Sequence, residues 1–101
     1  MAEGRTVQLR RYRIVGGEMA AFTAWWRGTL LPAREAFGFS LEFAVVVPET
    51  DEFVWAVSAE GDEEAFARID TAWTESPERA LAFQGVPQRV AEMDLRLAEP
   101  A

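Results

Sequence analysis

A strand-like segment near the N-terminus carries the residues best suited to chemistry. Arg10 and Tyr12 are two positions apart in residues 9–14, so the alternation of a β-strand places both side chains on one face. A guanidinium can hold an anion or an enolate, and a phenol can donate a proton or a hydrogen bond. Glu42, in a later apolar segment, supplies a candidate base. We therefore take Arg10, Tyr12 and Glu42 as the candidate catalytic residues.

Three absences exclude most other chemistry. The 101 residues contain no Cys and no His, and all ten cationic residues are Arg. The chain therefore has no thiolate nucleophile, no histidine ligand for haem or zinc, and no lysine for a Schiff base or a phosphate-binding loop. Its acidic residues are not spaced as in a Mg²⁺ or Ca²⁺ loop. We predict no metal and no cofactor, and the net charge of −7 disfavours nucleic acid as a partner.

Hydrophobic periodicity predicts a chain that alternates between strands and helices. Apolar residues at every second position indicate strands over 7–15, 39–48, 53–59 and 89–97. A three-and-four spacing indicates helices over 18–37 and from Asp62 onward, with a second start at Ser76 and Pro77. The order β-α-β-β-α-β predicts an α+β, ferredoxin-like fold, in which a four-stranded antiparallel sheet carries both helices on one face. We expect a single domain over 1–101, with its core at about 7–97.

The first predicted helix contains its own breaking point. Pro32 lacks an amide hydrogen and crowds the carbonyl of Gly28, so we predict a kink or a break over 28–32 and a shorter helix from Pro32 to Phe37. Such a bend opens a gap above the sheet, where Arg34 could reach a carboxylate. The alternative is that Arg34 is a surface residue on a bent helix.

Aromatic side chains recur on the predicted helices and strands. Trp25 and Trp26 lie in or beside the apolar stripe of the first helix, and the second and third strands hold Phe43 and Trp55. Where these residues converge, they form either the hydrophobic core or the lining of a site for a flat organic molecule. We predict Trp25, Trp26, Arg34, Phe43 and Trp55 as the ligand-binding residues.

The two faces of the predicted sheet differ in polarity. One alternating set on the second strand is wholly apolar and is expected under the helices: Phe39, Leu41, Phe43, Val45 and Val47. The opposite face of the sheet would carry Arg10, Tyr12, Glu42, Ser58, Glu92, Asp94 and Arg96. Arg11 and Arg13 would then share the covered face with Leu9 and would have to reach past the helices. In a dimer the charges of the polar face would be buried and would pair, Arg10 with Glu42 for instance. That face is either a polar ligand site or a structural charge network between subunits.

Several short motifs resemble the NIPSNAP family. They are the strand 9–14 followed by Gly16 and Gly17, the segment Leu31-Pro32-Ala33-Arg34 before Phe37-Gly38-Phe39, and residues 72–78 followed by Ala80 and Leu81. The resemblance spans about residues 7–97. Family members commonly carry an Arg-x-Tyr in the first strand, which corresponds here to Arg10 and Tyr12.

The resemblance implies a dimeric α/β barrel, in which the sheets of two subunits face each other and the helices lie outside. It implies little about activity, because most family members have no assigned reaction. Relatives in the wider superfamily range from cofactor-free monooxygenases and haem-degrading enzymes to plain ligand binders, so the fold does not decide the function.

We therefore predict a cytoplasmic homodimer, without a membrane span, that binds a small, largely apolar or aromatic organic molecule. Any reaction would be cofactor-free acid–base or oxygen chemistry, with Arg10 as its electrostatic anchor. The alternative is a non-catalytic interaction protein whose charged sheet face is the dimer interface, in which case Arg10→Ala weakens dimerisation. A cavity of roughly 300 Å³ or more, reached by Arg10, Tyr12 or Glu42, would favour ligand binding.

Overall fold

A four-stranded antiparallel sheet forms one layer of the protein, and helices cover one of its two faces. The computed structural model describes residues 4–99 and 101. The strands are β1 (Arg5–Ile14), β2 (Ser40–Val47), β3 (Glu52–Glu60) and β4 (Val90–Ala98). They lie in the order β2-β3-β1-β4, and every neighbouring pair is antiparallel. The predicted ferredoxin-like order is confirmed, and the predicted strand ends agree within two residues.

The predicted irregularity of the first helix is present, but it is a π-helical turn and not a break. Helix α1 (Met19–Trp25) continues through the π turn Trp26–Leu30 into α2 (Leu31–Phe37). Pro32 cannot donate to the carbonyl four residues back, so a wider turn before it avoids that missing bond and the clash of the proline ring. Gly38, with φ of 127°, ends α2.

Two further helices lie between β3 and β4, and each begins at the residue that the sequence predicts. Helix α3 is Glu63–Thr74, and the Asp62 side chain accepts the amide hydrogen of Ala65 at 2.9 Å. Helix α4 is Pro77–Phe83, and the Ser76 hydroxyl accepts from the amide of Arg79 at 3.0 Å. In the part of the chain that the structure describes, none of the helices has the length and hydrophobicity of a bilayer crossing.

The helix-covered face of the sheet carries the core. Its buried strand residues alternate with exposed ones along β1, and they meet an aromatic layer from the helices. The cluster comprises Tyr12, Ile14, Phe22, Trp26, Leu30, Phe39, Phe53, Trp55, Val57, Ala59, Phe66 and Trp73. Trp55 and Val57, at the centre of β3, are fully buried. The core is therefore a continuous layer between helices and sheet.

The predicted assignment of the two faces of β1 is wrong. Arg10 and Tyr12 are buried on the helix-covered face, whereas Leu9, Arg11 and Arg13 lie on the other face. The Arg10 guanidinium donates to Tyr12 and to Gln8, which lie two residues away on the same face. These neighbours supply the hydrogen bonds that a buried guanidinium requires. Arg11 and Arg13 instead pair with Glu52 and Glu92 on the open, solvent-exposed face.

A β-bulge overturns the expected alternation of β2. Leu41 pairs with Val57, but the next paired residue is Phe43, opposite Ala56, so Glu42 is the extra residue. Phe43, Val45 and Val47 therefore lie on the open face, and not under the helices as predicted. A bulge of one residue inverts every side chain beyond it, which the alternation of the sequence alone cannot reveal.

The open sheet face carries most of the residues predicted for the polar face. In the register of β1 and β4, Arg11 lies opposite Asp94, Arg13 opposite Glu92, and Leu9 opposite Arg96. These six side chains therefore share the open face. Glu42 and Ser58 also lie there, joined by a hydrogen bond. Arg10 and Tyr12 are the two predicted members that lie on the opposite side of the sheet.

Two glycines of the first helical segment test its geometry. Gly38 has φ of 127°, and an added Cβ would lie 3.1 Å from Cδ1 of Ile69, whereas a Cβ on the helical Gly28 meets nothing within 4 Å. We expect Gly38→Ala to lower the unfolding free energy by at least about 1 kcal/mol. Gly28→Ala is the matched control and should raise it by about 0.5–1 kcal/mol. Thermal melts of both variants check this, and a Gly38→Ala protein as stable as wild type would contradict it.

Candidate functional site

A cavity of about 210 Å³ lies between the first helical segment, α4 and the β1–β4 side of the sheet. Three arginines, four aromatic residues, and a few apolar or amide side chains form its walls: Arg10, Arg34, Arg79, Tyr12, Phe22, Trp25, Phe83, Leu30, Val90, Met93 and Gln88. Met93 and Gln88 are exposed, so the cavity opens to solvent between the start of β4 and the loop before it. A recess of about 50 Å³ adjoins it beneath the same loop.

Arg10 reaches the cavity from β1 and is held by its own strand. Its Nε donates to the Tyr12 hydroxyl at 2.8 Å, and its Nη1 donates to Oε1 of Gln8. Its guanidinium carbon lies 5.3 Å from the centroid of the Trp55 ring and 5.5 Å from that of Tyr12. These contacts fix the guanidinium beside the cavity and leave Nη2 without a hydrogen-bond partner among the described residues.

Arg34 reaches the cavity from α2 and is only 4% exposed. Its guanidinium carbon lies 4.9 Å from the ring centroid of Phe39, 5.3 Å from Trp55 and 5.2 Å from Trp73. The Nε and Nη1 atoms are buried without a hydrogen-bond partner among the described residues. The rings supply cation–π attraction, but they supply no negative charge.

The π turn explains why an arginine of the first helical segment points inward. Phe22, Trp26, Leu30 and Arg34 are spaced by four residues, and all four are buried. In a regular α-helix each step of four advances by about 40° beyond a full turn, so the last member would rotate away from the first. The wider turn at Trp26–Leu30 rotates less per residue and cancels part of that drift. Arg34 is thereby kept on the buried stripe.

Burial and the charge of a neighbouring arginine lower the pKa of Arg34. Desolvation is the larger cause and the positive charge of Arg10 the next, and together they lower the pKa of Arg34 to about 10. Electrostatic interactions with Tyr12 and with the carboxylate of Asp70 raise this pKa in part. At neutral pH the guanidinium is therefore charged, and the folded state carries a cost on the order of 3 kcal/mol for keeping it so.

Sequence reasoning missed Arg79 and the loop before β4. The Arg79 guanidinium carbon lies 4.3 Å from the ring centroid of Phe83, four residues later on α4. That spacing on a short helix was a usable signal, because side chains at i and i+4 are neighbours. Gln88 and Val90 became part of the site only through the packing of the loop, which has no local signature.

The structure brings together four of the residues that the sequence singled out. Arg10, Tyr12, Trp25 and Arg34 all line the cavity, and the Trp25 indole also donates to the carbonyl of Ala82 at 3.1 Å. Trp26 and Trp55 do not line the cavity and are core residues behind it, with ring centroids 5.4 Å apart. Phe43 and Glu42 lie on the open face, on the other side of the sheet.

Glu42 is part of a separate hydrogen-bond network. Its Oε2 accepts from the Ser58 hydroxyl at 2.6 Å, and Arg5 donates to both Ser58 and Ser40 at 3.0 Å. The predicted pairing of Arg10 with Glu42 is wrong, because the sheet separates the two side chains. Glu42 therefore cannot serve as a base beside Tyr12 within one subunit.

The open face forms a shallow depression of about 480 Å³ between β2 and β4. Apolar and charged groups alternate around it: Leu9, Phe43, Val54, Arg11, Asp94 and Arg96. Exposed ion pairs surround it, with nitrogen–oxygen distances of 3.2 Å for Arg11–Glu52, 3.1 Å for Arg13–Glu92 and 3.3 Å for Arg96–Asp94. The Arg13 hydrogen bond lowers the pKa of Glu92, but such exposed pairs add little stability.

Across residues 4–99 and 101, no three acidic side chains come together in a group that could hold a metal ion. The cavity walls contain no carboxylate among the described residues. The arrangement suits the binding of a negatively charged or hydrogen-bonding group by arginine, with aromatic rings around the remainder of a ligand.

The stability of the Arg34→Met variant tests whether Arg34 supports the fold. Methionine keeps the length and removes the buried charge, so we expect a melting temperature at pH 7 equal to or above that of wild type. Because burial lowers the pKa of Arg34 in the folded protein to about 10, below that of a free arginine, the cost is present below pH 10 and is relieved as the pH rises above it. Any gain should therefore shrink above pH 10. A fall of more than about 5 °C at pH 7 would show a structural role, and Trp55→Ala is the positive control for core damage.

Comparisons with known proteins agree with this architecture. No protein-family model and no curated protein sequence matches the chain. A NIPSNAP domain protein from Burkholderia xenovorans is similar over 95% of this chain and 94% of its own, with a TM-score of 0.81 and 16% identity. A NIPSNAP family protein from Agrobacterium tumefaciens is similar over 96% and 93%, with a TM-score of 0.83 and 15% identity.

A more distant neighbour widens the comparison. A putative antibiotic biosynthesis monooxygenase from Nitrosomonas europaea is similar over 96% of this chain and 90% of its own, with a TM-score of 0.71 and 12% identity. At such identities the likeness shows the fold. This chain has the ferredoxin-like α+β fold found in NIPSNAP family structures, as its sequence motifs implied.

Proposed function

We propose that this protein is a homodimeric member of the NIPSNAP family that binds a small, largely aromatic organic molecule between its helices and its sheet. The cavity of about 210 Å³ carries this proposal, because Arg10 and Tyr12 reach it and aromatic rings form much of its wall. The agreement in fold over nearly the full length of the NIPSNAP structures supports the family assignment.

The size of the cavity limits the ligand to about one ring. Sites for drug-sized molecules usually measure roughly 300 Å³ or more, and this cavity is smaller. A cavity of about 150 Å³ is nevertheless enough to hold benzene. The space therefore suits a single substituted ring packed against Phe22, Trp25 and Phe83.

Tyr12 offers the ligand a hydrogen bond or a proton. Its hydroxyl accepts from Nε of Arg10, and its own hydrogen donates to no residue that the structure describes. Among the described residues of the wall, Tyr12 is the only acid–base group besides the arginines. Any cofactor-free chemistry here would use Tyr12 as the acid and Arg10 as the electrostatic anchor, without Glu42. Because the described residues of the site offer no base to work with Tyr12, we propose binding and not catalysis as the function of the cavity.

The open sheet face supports the homodimer. Leu9, Phe43 and Val45 are 38%, 43% and 49% exposed on it, beside charges of both signs. A second copy of the chain presents the same apolar residues and the same mixture of charges, so a twofold axis through this face makes it self-complementary.

Filling the cavity tests ligand binding. We expect benzoate, benzamide or phenol to shift the Trp25 indole signal in a nitrogen–proton NMR spectrum of the wild-type protein. Val90→Phe, which places a ring in the cavity, should abolish the shift while the protein still melts cooperatively. Val46→Phe is the matched control, because Val46 is exposed and lies outside the cavity lining. A wild-type spectrum that no probe changes would refute the proposed function.

A charge on the open face tests the dimer. Leu9→Asp places a carboxylate at the centre of the proposed interface, so we expect a monomer in sedimentation experiments at micromolar concentration, where wild type is a dimer. Leu81→Asp is the matched control, because Leu81 is exposed on α4, and it should remain dimeric. Arg10→Ala should also remain dimeric, since Arg10 lies under the helices. A Leu9→Asp protein that stays dimeric would contradict the proposed interface.

A further inference from the structure

Positive charge around the cavity has no described counter-charge. Arg10, Arg34 and Arg79 all line it, in a protein whose net charge is −7. Within residues 4–99 and 101, the salt bridges of the protein involve other arginines, and none includes these three. A buried charge costs free energy unless it is paired, so this arrangement requires an explanation.

Aromatic rings account for the burial of Arg34 only in part. Phe39, Trp55 and Trp73 surround its guanidinium, but rings neutralise no charge. The Trp55 ring is moreover shared, since the guanidinium carbons of Arg10 and Arg34 each lie 5.3 Å from its centroid. Two like charges beside one ring repel each other, and an anion between them would remove that repulsion.

Both arginines keep donors that could bind the oxygens of a carboxylate. Nε and Nη1 of Arg10 are occupied by Tyr12 and Gln8, and Nε and Nη1 of Arg34 are buried. One terminal amino group of each guanidinium therefore remains for a ligand. Charge-assisted hydrogen bonds of this kind are among the strongest in proteins.

We propose that the cavity selects a one-ring aromatic carboxylate, with the carboxylate held by Arg10 and Arg34 and the ring against Trp25 and Phe83. This inference rests on the proposed function and adds the charge and chemical class of the ligand. Cations are rejected by the three arginines. Neutral rings fit the space but leave both guanidinium groups without a counter-charge.

Titration of the labelled full-length protein with benzoate and benzamide tests separately whether the cavity binds an aromatic ring and whether it selects a carboxylate. The two probes have nearly the same shape and differ in charge, and the tryptophan indole signals report binding at constant ionic strength. We expect benzoate to bind wild type about 10- to 100-fold more tightly than benzamide. Arg34→Gln should remove that difference, because benzoate then loses one of its two cationic partners. Arg27→Gln, an exposed arginine of the same helical segment, is the matched control and should change neither affinity.

Each of the other possible results of this titration contradicts a specific part of the proposal. Equal affinity of wild type for benzoate and benzamide refutes the carboxylate and leaves the proposed function intact, whereas no binding of either probe refutes both. Sulfate that reproduces the benzoate shifts at equal concentration refutes the aromatic carboxylate in favour of a bare anion site. Undiminished benzoate binding by Arg34→Gln refutes the role of Arg34. If Arg34→Gln does not fold, the comparison of benzoate and benzamide in wild type still decides the charge of the ligand.

Discussion

The arrangement of the core and of the cavity depends on two guanidinium groups that lie over one buried indole ring. Trp55 lies at the centre of β3, directly paired with Arg10 of β1, and Arg34 approaches the same ring from α2. Tyr12 and Trp26 meet Trp55 edge-on, at interplanar angles of 85° and 84°. The guanidinium groups of Arg10 and Arg34 also lie over the Trp55 ring, whose negative quadrupole attracts cations. The aromatic core is therefore also the support that positions positive charge beside the cavity.

The bulge at Glu42 determines which side chains of β2 lie on each face of the sheet. It directs Leu41 and Ala44 toward the helices and Phe43 and Val45 toward the open face. If β2 alternated regularly through Glu42, Phe43, Val45 and Val47 would point toward the helices, and the open face would lose these apolar side chains. One inserted residue thus provides both a packed core and an apolar face on the other side of the sheet.

The fold was largely predictable from the sequence, whereas the site was predictable only in part. Strand order followed from alternation and turn residues, and the starts of α3 and α4 followed from Asp62 and Ser76, because capping is a local property. The side on which Arg10 lies did not follow from alternation alone, since it depended on whether Gln8 and Tyr12 could satisfy a buried guanidinium. An isolated arginine in a strand is typically assigned to solvent, and here three consecutive alternate residues hydrogen-bond one another instead. Arg34 and Arg79 join them through packing between elements distant in sequence.

The π turn at Trp26–Leu30 has a consequence for how such chains should be aligned. A π turn is the mark that a single inserted residue leaves in an α-helix, and it shifts the phase of everything that follows by about 100°. A relative of the same length with a regular helix here would carry the residue aligned with Arg34 toward solvent. Alignment of sequence letters across this helix would then equate an inward arginine with an outward one. The length of one helical turn, and not the identity of any side chain, would decide whether a homologous cavity is cationic.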